Sequence, residues 1–204
     1  MNDRSTAAMA VDRRFDRWGG WAALAGAAVA LVYGVAFVVL KNNLLAAVAL
    51  VAGGLLSAAA LFAAYQHVRQ AGPLAALGLA LGFIGTIGAA VHGAYDLANV
   101  LHPGTTPLDG PNPIDPRGFL TFGVAGLGLF TLSWAGLSAA RLPRPLLYLG
   151  LLLGVVLVLI YLARLIVLDA TSMLVLGPAL AGAVLSPIWY GWLGYVLLTD
   201  KTGA

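Results

Sequence analysis

Cysteine is absent from the 204 residues. That removes disulfides, thiolate metal sites, iron–sulfur clusters and cysteine nucleophiles together. Glutamate is absent as well, so all eight acids are aspartates. Lysine occurs only at Lys41 and Lys201, both at the ends of apolar runs, which excludes a Schiff-base lysine in mid-membrane. Charged residues make up only 9% of the chain, against about 25% in soluble domains. A water-soluble fold could not cover its surface with so few. The net charge of +3 is no nucleic-acid signal, because the basic residues sit at helix ends and form no basic face. We expect no nucleic-acid partner.

What the chain has instead is apolar length. It is 61% hydrophobic, its mean hydropathy is +0.93, and its 26 glycines suit close helix packing in lipid. A spanning helix needs about 20 apolar residues. Six stretches qualify, roughly Trp18–Leu40, Leu44–Tyr65, Pro73–Leu97, Phe119–Ala140, Pro145–Val167 and Met173–Leu198. The first is too long for a signal-peptide core and reads as a retained helix. The fold class is therefore all-α, a polytopic six-helix transmembrane bundle with the lipid bilayer as its solvent. Residues 1–17 read as a polar, mobile cytoplasmic tail, 18–198 as the transmembrane domain and 199–204 as a second cytoplasmic tail. Lys and Arg placement sets orientation. With the N-terminus inside, the inner segments hold Arg4, Arg13, Arg14, Arg17, Arg69, Arg141, Arg144 and Lys201, and the outer segments only Lys41, Arg117 and Arg164. Both termini are expected in the cytoplasm. Trp18, Trp21, Tyr65, Trp134, Tyr148, Trp192 and Tyr195 fall toward the inner ends as an interfacial belt. The outer loop 102–118, HPGTTPLDGPNPIDPRG, is proline-rich and reads as a connector or as a cap over the outer face.

An internal repeat is expected. Pro73–Gly82 and Pro145–Gly154 are identical at seven of ten positions at an offset of 72. Arg69 meets Arg141 and Gly54-Leu55 meets Gly126-Leu127 at the same offset. Helices two–three and four–five thus read as a duplicated helical hairpin, and parallel repeats occur in membrane transport folds.

The candidate site lies on the third helix. His92, Tyr95, Asp96 and Asn99 are spaced three or four apart and share one face. Gly78, Gly82, Gly85 and Gly88 fall on that face too, all within roughly 140° of arc at about 100° per residue. A glycine face is a packing face in a membrane bundle, so the stripe should point inward. His92 lies about 28 Å from Pro73 at about 1.5 Å per residue, near the outer boundary of the hydrocarbon. Arg164 lies late in the fifth helix and aligns with His92 in the repeat. Asp96 is the sole acid within an expected span. An intramembrane charge usually pairs with another group. Asp96–Arg164, with His92 close by and Tyr161 one turn below Arg164, is the expected ionic cluster.

Catalytic constellations are sparse. Ser57 and Ser133 lie far in depth from His92, and neither a G-x-S-x-G elbow nor a P-loop occurs. Histidines at matching depth for bis-histidine haem are missing, and His102-Pro103 lies past the helix end, away from a His92/Asp96 metal site. We expect no catalytic residue, no metal and no cofactor. In the last helix Pro187 should introduce a kink, with the aromatics after it anchoring the inner interface.

Pro187-Ile-Trp189-Tyr190-Gly191-Trp192-Leu193-Gly194 resembles a P-x-W-Y-x-W-L-G pattern in the C-terminal helix of multi-pass bacterial inner-membrane proteins. The Ala/Leu/Gly-rich hairpins are similar to that group. The resemblance implies a bacterial inner membrane and no particular activity. The favoured function is a non-enzymatic binding or accessory protein whose outer polar pocket takes a small molecule or lipid headgroup. One alternative is a small proton-coupled transporter, which needs a polar path inward that the third and fifth helices lack in sequence. Another is an intramembrane enzyme using His92 and Asp96. Gly78–Gly82 and Gly150–Gly154 offer Gly-x-x-x-Gly faces for a homodimer.

Overall fold

Capping residues set the helix ends. Lys41 takes a left-handed conformation (φ 52°) and closes the first helix. Asn42 then caps the second, its side chain accepting from the Leu45 amide at 3.0 Å, which satisfies one of the open amides of a helix start. Gly72 (φ 68°, ψ −141°) makes the tight turn that Pro73 follows at the first helical position, a combination only glycine adopts without strain. Ser172 caps the last helix through Leu174.

The computed structural model describes residues 3–104, 117–139, 141–167 and 172–199, with side chains described from Arg13 onward. Six helices follow in order. They are α1 (Asp3–Gly34, extended by a π segment Val35–Leu40), α2 (Asn43–Val68), α3 (Pro73–Leu101), α4 (Ala125–Ala139, preceded by a π segment Phe119–Val124), α5 (Arg144–Ile166) and α6 (Met173–Thr199). Each span is long and apolar enough to cross a membrane, and no strand occurs among the described residues. The protein is an all-α, multi-pass membrane bundle. One expectation changes: α1 begins at Asp3, so the polar residues before Trp18 continue the first helix. Residues 200–204 and 105–116, and with them most of the expected cap, lie outside the described residues.

With six spans in order, the start of α1 and the end of α6 lie on one side, here the terminal side, and the end of α3 and the start of the π segment before α4 lie on the other, the loop side. Consecutive helices pack around a ring closed by α1 against α6, and α2 reaches across to α4 and α6. α3 packs on α4 through its glycines. A Cβ on Gly78 would sit 2.6 Å from the Leu132 amide, Gly85 abuts Ala125, Gly88 abuts Leu120, and Gly128 of α4 faces the Gly82 backbone. The expected packing face is thus the α3–α4 seam. Gly150 faces Ser133 and Trp189, and Gly154 faces Gly126 and Phe130. Within the chain, these glycines of both Gly-x-x-x-Gly faces meet neighbouring helices.

The buried apolar core occupies the terminal-side half and includes Leu61, Val68, Leu132, Leu146, Leu153, Trp189 and Leu193. Trp189 is only 3% exposed, so it is a core residue and not the interface anchor expected from its pattern. Gly150 makes the difference, because its missing side chain admits the indole. Trp18, Trp21, Trp134, Tyr148 and Tyr195 are exposed toward the bilayer on this side. α6 runs through Pro178 and Pro187 as one helix.

Candidate functional site

The loop-side site is built from α3 and the π segment that leads into α4. A π segment rotates side chains relative to an α-helix and often marks a functional position. Here it turns Thr121 toward α3. The Thr121 hydroxyl donates to the Arg117 carbonyl at 3.0 Å. A hydroxyl carries one hydrogen, so in its 3.0 Å contact with His92 the ring Nδ1–H is the donor. That orients Nε2 toward Asp96 Oδ2, 3.6 Å away. Asp96 Oδ1 faces Arg117 Nη1 at 3.8 Å. The Arg117 guanidinium lies over the Tyr95 ring, 3.8 Å from its centroid. His92, Tyr95 and Asp96 of the predicted stripe are therefore joined, by way of Thr121 and Arg117.

The remaining predicted residues surround this network. Tyr161 of α5 packs against Phe119 of the π segment, with centroids 5.3 Å apart, and Gly123 leaves room for its ring. Asn99 is half-buried one turn beyond Tyr95, and Arg164 sits in the last turn of α5 with Nη1 buried. Both are engaged in interactions. Arg117 stands against Asp96 at 3.8 Å. Tyr33 of α1 stacks on Phe37 at 5.6 Å, and its hydroxyl feels the charge of Asp96.

Sequence reasoning missed Arg117, Thr121 and Tyr33. Arg117 ends a proline-rich loop and gave no periodic signal. Thr121 carries no charge, and its orientation depends on the π segment. Among the described residues, no three His or Asp side chains converge on a metal-sized site. Comparison with known protein families, curated proteins and solved structures finds no match to this chain.

A second histidine–aspartate contact lies on the terminal side. His67 Nε2 is 3.2 Å from Asp16 Oδ1 and ties α1 to the end of α2. Smaller polar groups occupy the middle of the bundle. Ser57 of α2 faces the Tyr190 hydroxyl, Thr86 is buried and bonds the Phe83 carbonyl at 2.9 Å, and Ser133 and Trp189 Nε1 meet over Gly150.

Proposed function

We propose that this chain is a non-enzymatic membrane binding or accessory protein that holds a small polar molecule or a lipid headgroup at its loop side. The observation that carries the reading is the connected network Tyr95–Arg117–Asp96–His92–Thr121. Each of these contacts alone is of modest strength. A long, partly exposed ion pair is worth about 0–1 kcal/mol, a neutral hydrogen bond about 0.5–1.5 kcal/mol and an exposed cation–π contact about 0.5–1 kcal/mol. Ionisable groups at membrane depth are costly and mark functional positions. Binding a polar ligand is a role that such a connected cluster of ionisable and aromatic groups supports. Native mass spectrometry of protein released from nanodiscs tests it. A reproducible bound mass that disappears in Asp96→Asn and Arg117→Gln is expected; a bare protein, or a mass indifferent to both changes, would refute the reading.

A second reading, a proton-coupled transporter, draws on the His92–Asp96 juxtaposition and on the mid-bundle polar groups Ser57, Tyr190, Ser133 and Trp189. It predicts proton flux in proteoliposomes that His92→Gln abolishes. The charge count of the sequence supports cytoplasmic termini, testable with reporter fusions at the C-terminus, and the resemblance of the last helix supports a bacterial inner membrane. The 72-residue offset supports descent of α2–α3 and α4–α5 from one hairpin. At that offset the Gly54–Thr86 contact has a counterpart in Gly126–Val158.

A further inference from the structure

On the terminal side, Arg14, Arg17, Trp18 and Trp21 line one open groove of about 260 Å³ on the outside of α1. Their spacing of three, four and seven residues puts them on one helix face. Both arginines are exposed, and neither makes an ion pair among the described residues. The nearest acid with a described side chain, Asp16, is held by His67. Trp18 and Trp21 are 61% and 62% exposed and stand on the bilayer-facing surface of the span Arg13–Leu40. The groove therefore offers two guanidiniums at the end of a span and two indoles one turn deeper. That is the order of charges in an anionic phospholipid, whose phosphate sits at the interface and whose acyl chains lie below it. Guanidinium forks match phosphate oxygens, and indoles favour this depth.

We propose that this groove is a specific site for one anionic phospholipid, with Arg14 and Arg17 on the phosphate and Trp18 and Trp21 against the glycerol and upper acyl chain. The site is separate from the loop-side network, so either can fail without the other. The test is native mass spectrometry of the full chain in nanodiscs of phosphatidylglycerol and phosphatidylcholine at one to three. Wild type should retain one phosphatidylglycerol in preference to phosphatidylcholine. The double variant Arg14→Gln/Arg17→Gln should lose about thirtyfold in that preference, taking each arginine's contribution near an anionic surface. The equal-charge control Arg141→Gln/Arg144→Gln should keep it, and Trp18→Leu/Trp21→Leu should weaken it while leaving both charges in place. All four residues are exposed, so the variants should fold. Retention in the arginine variant, equal loss in the control, or a protein dimer in place of the lipid adduct would each overturn the assignment.

Discussion

Leu146, Leu153, Leu193 and Val68, all in the terminal-side half, are each less than 2% exposed. On the loop side, Asp96 keeps 42% of its side chain exposed and its cation stands 3.8 Å away. One half spends its side chains on close packing. The other joins polar side chains into a partly solvated network. In lipid this division has a clear cost structure. Apolar side chains gain little from leaving hydrocarbon for a protein interior, so helices associate through packing and close backbone approach. The glycine seam and the terminal-side core supply that packing.

Substitutions should separate the halves, and the seam that crosses both should be the most sensitive. A Cβ on Gly128 would meet the Gly82 backbone and, at 2.7 Å, the Leu81 carbonyl carbon. These are main-chain atoms that cannot move aside. Gly128→Leu should cost about 3 kcal/mol or more and abolish a monodisperse peak in detergent chromatography. Next comes Leu153→Ala, which leaves a cavity in the core. Its cost should be near the lower end of the soluble range, about 2 kcal/mol, because the transfer term is small in lipid; thermal unfolding in detergent would measure it. Thr121→Val removes the acceptor for His92 Nδ1 and should cost about 1 kcal/mol, with a changed tautomer signature in nitrogen NMR of the ring. Asp96→Asn should be the mildest for stability, within about 0.5 kcal/mol, yet should remove any bound ligand. If Asp96→Asn destabilised as much as Leu153→Ala, the polar network would be structural and the division between the halves would fall.

Much of the fold was legible because lipid imposes a simple rule. Each span must be a helix of a certain length, and the expected ends at Pro73, Phe119 and Met173 are those observed. The glycine face of α3 was legible because period and residue size suffice to mark close packing. The site was legible only in part. His92, Tyr95 and Asp96 could be placed on one face by counting, whereas their partners come from beyond a loop whose path no periodicity encodes. Arg164 drew notice because it interrupts an apolar run, and Arg117 was overlooked since it belongs to the loop. Trp189 was misread for a related reason. An aromatic cluster near a helix end suggests an interface, and only the placement of Gly150 opposite it reveals a buried slot.

Because the chain has no cysteine, single engineered cysteines can report water access without background. Membrane-impermeant maleimide added to either side of oriented vesicles should label His92→Cys and Asn99→Cys from the loop side alone. It should leave Leu153→Cys and Leu193→Cys unlabelled from both sides. Protection of His92→Cys and Asn99→Cys as complete as that of Leu153→Cys would contradict a loop-side site open to ligand, and with it the division of the bundle into a packed half and a polar half.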